Sequence, residues 1–191
     1  FFKRWIDLQI AGKHNVIDRA GSGGTISYFI PNEKVNRISE WYRGRAYLFD
    51  NQSTEDDELG ELLEIIEKAV QQYGVQLLLL DNLMTALDVG MSVDLYRAQS
   101  KFVDKLVKMA KRQQVAVILV VHPRKNGNGS DDNDAVSGSA DITNKVDVVL
   151  TYKRDKALRD NQRLLTVSKN RLTGKLATGE KALTLYYDDA S

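Results

Sequence analysis

Two short apolar segments constrain the fold of this chain more than any other feature. The first, Val75–Leu80, is apolar except for one glutamine and ends abruptly at Asp81 and Asn82. The second, Val115–Val121, is apolar throughout and ends at His122. Segments of this length without polar alternation are typical of strands that are buried on both faces between helical layers.

Helical patterns alternate with these two strands along the chain. Apolar residues recur at three- and four-residue intervals from Leu59 to Val70, and Gly74 marks the end of that helix. A second helix carries Phe102, Leu106 and Met109 on its apolar side. We predict that its basic residues form a solvated outer face: Lys101, Lys105, Lys108, Lys111 and Arg112. Strand and helix in alternation indicate an α/β fold with a parallel sheet.

The first 50 residues show weaker signals. The spacing predicts a helix that ends at Gly12, a second helix from Pro31 to Gly44, and a strand over 46–49. Residues 18–25 are polar and glycine-rich, but no Gly-Lys-Ser/Thr triplet occurs in the chain, so we interpret them as a solvated loop and not as a phosphate-binding loop.

The last third predicts a short helix near Ala140, a strand over 146–152, and an antiparallel edge formed by 164–168 and 182–187. Before it, Asn126–Ala135 contains almost nothing apolar, which predicts a mobile loop.

Composition limits the class of protein. With 191 residues and 42% hydrophobic content, the chain suits one sizeable domain. Its net charge of +1 gives no global signal for nucleic acid binding. The absence of cysteine excludes disulfides and Cys-ligated zinc. No apolar run is long enough to span a bilayer and no secretory signal is present, so we expect a soluble, intracellular protein without a membrane partner.

Polar residues at strand ends are the candidates for chemistry. Ligands of open parallel sheets bind beyond the carboxyl ends of the strands, where Asp81 and His122 are expected. Asp81 could hold magnesium, or it could simply open a loop after a core strand. His122 could hydrogen-bond a γ-phosphate, or it could be a packed or capping residue. Lys169 and Arg171 occupy alternate positions at a strand end, so they could reach one polyanion or only solvate an edge strand.

Taken together, these segments resemble the hexameric replicative DNA helicases of the DnaB type, with their RecA-like motor domain. The resemblance is strongest to the branch of bacteriophage primase-helicases and the mitochondrial helicase Twinkle. The most specific segments are Leu77–Asn82, Val120–Lys125, the region from Ser137 to Asp147, Ser168–Arg171 and Thr173–Gly174. The resemblance implies a mainly parallel sheet flanked by helices with an antiparallel C-terminal edge, and it covers the chain as the C-terminal part, 1–191, of such an ATPase domain.

The resemblance also implies roles for single residues. Asp81 would be the Walker B acid that holds Mg²⁺, and His122 would sense the γ-phosphate of ATP. Lys169 and Arg171 would enter the neighbouring subunit's site as a finger pair. The residues expected to flank the adenine are Arg154 and Tyr187. Single-stranded DNA would be contacted by Arg124, Lys125 and Asn126, although the acidic run Asp131–Asp134 fits poorly with DNA.

The implied assembly is a homo-hexamer with ATP sites between subunits, and a primase is a further candidate partner. The implied location is the cytoplasm of a bacterial or phage-infected cell in preference to the mitochondrial nucleoid. The chain begins without Met, so we expect an N-terminally truncated fragment whose phosphate loop and catalytic glutamate precede Phe1, and which alone is inactive. Two alternatives stay open: a RecA-like regulatory or recombination ATPase that does not unwind DNA, and a non-enzymatic oligomerisation or loading module.

Overall fold

The computed structural model describes residues 2–21, 24, 26–49, 59–82, 93–121, 140–155 and 158–187. Helices and strands alternate from residue 59 to residue 153, as expected for an α/β fold. The helices are α1 (Phe2–Ala11), α2 (Asn32–Tyr42), α3 (Leu59–Tyr73), α4 (Val93–Gln113) and α5 (Ala140–Lys145). The strands are β1 (Ile17–Ala20), β2 (Ile26–Phe29), β3 (Leu77–Leu80), β4 (Ala116–Leu119), β5 (Val148–Lys153), β6 (Gln162–Asn170) and β7 (Leu183–Tyr186).

Two compact units divide the chain. One comprises Phe1–Asp50, Tyr152–Leu165 and Ala182–Ser191, and the other comprises Asn51–Thr151 and Thr166–Lys181. Because β5 and β6 each run across a boundary between these ranges, both strands contribute residues to both units.

The second unit contains the hydrophobic core. Helix α3 contributes Ile66 and Val70, and α4 contributes Phe102, Val103, Leu106 and Met109. Val115 and Ile142 complete the cluster, and all its members are at most 7% exposed. The two helices predicted from apolar spacing are therefore confirmed. Helix α3 ends just before Gly74, as predicted. The basic residues predicted on the outer face of α4 are exposed.

Strands β3 and β4 form the predicted parallel pair, in register from Leu77↔Ala116 to Leu80↔Leu119. Their burial differs from the prediction. Leu78, Leu80, Val117 and Leu119 pack on the core. The alternate side chains face away, and Leu77, Leu79 and Ile118 are 57%, 51% and 51% exposed. Successive strand side chains point to opposite faces, and within the described residues the helical core covers only one of those faces.

The first unit begins with α1, which ends at Gly12 as predicted and packs on α2. Two predictions there are wrong. Residues 18–20, predicted as part of the loop 18–25, instead belong to strand β1, which pairs antiparallel with β2. All four β1 residues are exposed, so the alternation that signals a half-buried strand is missing.

The strand predicted over 46–49 is the second error. These residues have no strand assignment, and Tyr47, Leu48 and Phe49 are 49%, 57% and 58% exposed. Aromatic and branched residues favour strands because they pack well on a half-buried surface. That preference alone does not make a strand, and none of the described strands pairs with these residues.

The C-terminal strands form a three-stranded sheet in the order β5–β6–β7. β6 and β7 are antiparallel, with Gln162 opposite Tyr186 and Leu165 opposite Leu183, which confirms the predicted antiparallel edge. In the part of the chain described, no helix has both the length and the apolar character that crossing a membrane demands.

Candidate functional site

The carboxyl ends of β3 and β4 lie side by side. The Val120 amide donates a hydrogen bond of 2.9 Å to the Leu80 carbonyl, which continues the parallel ladder to the last residue of β3. Asp81 follows immediately and is exposed. The register therefore places this carboxylate at the edge of the sheet where parallel strands present loops to ligands.

The Asp81 carboxylate has no hydrogen bond or ion pair to any described residue, and no group of three or more potential metal ligands occurs in the described ranges. A multi-ligand protein cage for a metal is thus not seen there. Mg²⁺ commonly keeps several waters and takes only one or two carboxylates from the protein. An exposed Asp81 that has no ion pair with any described residue fits that mode of binding.

Several predicted site residues lie outside the described ranges. These are His122, Arg124, Lys125 and Asn126, together with the rest of the polar segment Asn126–Ala135. Their roles as phosphate sensor and DNA contacts stay predictions.

Lys169 and Arg171 meet at the end of β6, where both contact the carboxyl-terminal end of α5. The Lys169 ammonium donates to the carbonyls of Thr143 and Asn144, the second at 3.1 Å. Arg171 Nη2 donates to the same Asn144 carbonyl at 2.9 Å. The last carbonyls of a helix lack partners within the helix and carry partial negative charge, so they are natural acceptors for two cations.

Asp147 approaches the same pair. Its main-chain carbonyl accepts a 2.8 Å hydrogen bond from the Arg171 amide. Its Oδ1 lies 4.0 Å from Arg171 Nη1. Partial burial is the main cause that lowers the pKa of Lys169 from its ordinary value, the charge of Arg171 lowers it further, and Asp147 opposes both. The lowered pKa therefore reflects burial first and the nearby charge of Arg171 second.

Helix α5 is fixed to the core by both apolar and ionic contacts. Ile142 is 2% exposed within the core cluster. Lys145 lies 3.0 Å from Asp104 of α4 and 3.3 Å from Asp141, and it donates to the Ser100 carbonyl at 3.2 Å. Desolvation opposes the charge of Lys145, but the two carboxylates outweigh it and raise its pKa. The platform beneath Lys169 and Arg171 is therefore anchored to α4.

Arg154 and Tyr187, predicted to flank the adenine, belong to the other compact unit. Arg154 forms an ion pair with Asp160, and both side chains are largely exposed. The Tyr187 amide donates a 2.7 Å hydrogen bond to the carbonyl of Asn161, the next residue along. The two predicted residues thus contact adjacent residues of the turn at 160–161, and Tyr187 is 60% exposed.

Comparison with known families gives a match over residues 29–128, described as an AAA domain. The matched segment begins at the end of β2 and includes α2, α3, β3, α4 and β4, and it covers more than half of the 191 residues. The chain belongs to the AAA domain family. No curated protein matches this chain.

The AAA domain family consists of P-loop, RecA-like ATPases and includes the DnaB-type helicases. Membership therefore indicates nucleotide binding and ATPase chemistry, typically with Mg²⁺. The region of the AAA domain match contains Asp81 and His122, whereas Lys169 and Arg171 lie beyond it. The predicted nucleotide chemistry at the β3–β4 edge thus falls within the part of the chain that defines the family.

The sequence of this AAA domain chain did not reveal the hydrogen-bond partners of Lys169 and Arg171. The acceptors on α5 are main-chain carbonyls, which no side-chain motif reveals. Asp147 was included in a segment that resembles the helicases, but its carboxylate received no role. Its position directly before β5, the strand that runs beside β6, was the available signal.

Proposed function

We propose that this chain is part of the motor of a hexameric, ATP-dependent replicative DNA helicase of the DnaB type. In this proposal the assembled motor moves along single-stranded DNA and unwinds the duplex ahead of it. The ATP sites lie between subunits, and Arg124, Lys125 and Asn126 contact the DNA phosphates. A primase is a further candidate partner.

One observation carries the proposal beyond the family. Lys169 and Arg171 are presented together on a fixed platform, and no described contact joins either of them to Asp81 of the same chain. The Arg171 side chain is 54% exposed. Two cations that are held together, of which Arg171 is exposed and neither has a described contact with Asp81, are suited to a site on another subunit.

In this proposal, two neighbouring subunits each contribute residues to one site of ATP hydrolysis. Asp81 of one subunit would hold Mg²⁺, and the bound ion would offset negative charge on the phosphate oxygens of ATP. Lys169 and Arg171 of the next subunit donate hydrogen bonds to the phosphoryl group in transfer, where negative charge spreads over its oxygens. Arg171 offers a planar fork of donors, and Lys169 adds a second full charge.

The test uses a longer protein that contains both this chain and a phosphate loop. Arg171→Ala should leave ATP binding within about twofold of the unchanged protein and reduce hydrolysis by about 10³-fold or more, the range for removal of an arginine finger. Arg163→Ala is the matched control, because Arg163 also lies on β6 but donates to the carbonyls of Asp160 and Gln162. Hydrolysis that survives Arg171→Ala contradicts the assignment.

Subunit mixing tests whether the finger acts between subunits. Asp81→Ala subunits keep an intact finger pair, and Arg171→Ala subunits keep an intact Asp81. Mixed rings should recover activity at the interfaces that join one intact half from each variant. If mixing restores nothing while both variants assemble, the pair does not act between subunits.

Strand displacement separates the proposal from its alternatives. A RecA-like regulatory or recombination ATPase would hydrolyse ATP and bind DNA without displacing a strand. A non-enzymatic loading module would show no hydrolysis in the longer protein. DNA affinity should also fall steeply with salt if Arg124 and Lys125 neutralise phosphates.

A further inference from the structure

The charges around the finger pair do not balance. Lys169 and Arg171 contribute two positive charges at the end of α5, where the acceptors are neutral carbonyls. Among the described residues, the carboxylate within 4.0 Å of the pair is that of Asp147. Two cations and one carboxylate leave an excess positive charge on a surface where Arg171 is 54% exposed.

Asp147 contacts Arg171 in two different ways. Its main-chain carbonyl accepts the Arg171 amide at 2.8 Å, which fixes the backbone of Arg171. Its carboxylate stands 4.0 Å from Nη1, too far for a hydrogen bond but close enough for attraction. The carboxylate can therefore restrict the direction of the guanidinium without occupying its donors.

The second acceptor of Arg171 complements this restriction. Nη2 is held by the Asn144 carbonyl at 2.9 Å, while Nη1 faces Asp147 at the longer distance. The Asp147 side chain is itself 43% exposed, so water weakens its attraction. An incoming phosphate, with more charge and better geometry, can compete for Nη1.

We propose that Asp147 is a positioning residue that directs Arg171, and with it Lys169, toward a phosphate group held by a second copy of this chain. The proposal rests on the proposed function, because it assigns to the finger pair a partner that sets its orientation. Asp147 itself does not touch the phosphate.

A role of Asp147 in orienting Arg171 predicts different kinetics from a role in neutralising its charge. Removing the Asp147 charge leaves both cations in place, so binding of ATP by the assembled protein should be unimpaired. What is lost is the alignment of Arg171 in the transition state, where small displacements are costly. The effect should therefore fall on kcat and not on KM.

The experiment compares three variants of the longer, ring-forming protein: Asp147→Asn, Asp147→Glu and Asp18→Asn. Asparagine keeps the size of the side chain and the backbone hydrogen bond but removes the charge. We expect Asp147→Asn to lower kcat for ATP hydrolysis about tenfold or more, with KM within about twofold. Asp147→Glu should recover part of the loss. Asp18→Asn is the matched control on the exposed β1 strand and should not change either constant.

Subunit mixing then locates the defect. Asp147→Asn subunits keep Asp81, so rings mixed with Asp81→Ala subunits should regain activity as rings of Arg171→Ala and Asp81→Ala subunits do. Unchanged kcat in Asp147→Asn overturns the inference. A loss that mixing does not recover, while the Arg171→Ala mixture recovers, also overturns it, because the defect then lies in the subunit's own site or fold.

The outcome for Arg171→Ala separates this inference from the proposed function. If Arg171→Ala hydrolyses ATP normally, the finger pair is wrongly assigned and both proposals fail. If Arg171→Ala is inactive and Asp147→Asn is fully active, the finger pair stands and only the role of Asp147 is rejected.

Discussion

Truncation of Ile142 should show how firmly helix α5, which contacts Lys169 and Arg171, is attached to the core. Ile142 is 2% exposed and is the residue of α5 that belongs to the core cluster. Changing Ile142 to Ala removes three carbon groups, and at about 0.8 kcal/mol for each buried group the loss of transfer free energy is about 2.4 kcal/mol. The cavity left behind adds to this, so the free energy of unfolding should fall by about 2.4 to 5 kcal/mol.

Urea denaturation followed by circular dichroism measures this change, since the midpoint should shift without a change in slope. Ile142→Val removes one carbon group and should cost about 0.5 to 1.5 kcal/mol. Leu150→Ala is the control, because Leu150 is an aliphatic residue of β5 that is 59% exposed and should change stability by no more than about 0.5 kcal/mol.

Amide hydrogen exchange adds a local readout. The Arg171 amide, bonded to the Asp147 carbonyl, should exchange faster in Ile142→Ala because the seat of α5 is loosened. If Ile142→Ala costs no more than Leu150→Ala, then α5 is not held by the core, and the anchoring of the finger pair is wrong.

Three further outcomes are expected. Hydrogen bonds from Arg112 and then Gln113 lower the pKa of Glu67 from its ordinary value of 4.5. This contribution to stability is complete above that pH and is lost as the pH falls through the lowered pKa. The melting temperature of Glu67→Gln should therefore depend less on pH in the acid range. Lys145→Met should reduce the melting temperature by roughly 2 to 4 °C in low salt and by less in high salt, because its carboxylate partners are about half exposed. The chain by itself, which has no Gly-Lys-Ser/Thr triplet, should show no DNA-stimulated ATPase in a phosphate-release assay, and turnover that Asp81→Ala abolishes would refute this.

Elements that bury a periodic apolar face were predictable from sequence. The spacing of Ile66, Val70, Phe102 and Leu106 reflects the 3.6-residue period of a helix packed on a core, and the structure buries all four. The same reasoning found the parallel order of β3 and β4, because a strand must return to the sheet after a helical crossover.

Elements whose residues are exposed to solvent on both faces were not predictable from apolar spacing. The β1–β2 hairpin has exposed residues throughout β1, so no periodic signal distinguishes it from a loop. The exposed alternate residues of β3 and β4 were missed for the opposite reason. A continuous apolar sequence shows which side chains a strand could bury. Which of them are buried depends on the layers that pack on each face of the sheet.

The candidate site divides along similar lines. Asp81 could be placed at the sheet edge because the end of an apolar strand fixes its position. The contacts of Lys169 and Arg171 with α5 depend on main-chain carbonyls brought close by the fold, over a sequence separation of 25 to 27 residues. Sequence motifs describe side chains, so acceptors supplied by the backbone are visible only in three dimensions.

Within the described residues, the helical core leaves one side of the β3–β4 pair exposed, and this affects how the chain behaves in solution. Leu77, Leu79 and Ile118 form a patch of aliphatic surface in which each residue is more than half exposed. Contiguous apolar surface promotes association between molecules as concentration rises. The net charge of only +1 provides little electrostatic repulsion to oppose it. Light scattering of the purified 191-residue chain should therefore increase with protein concentration, and Leu79→Thr should reduce that increase.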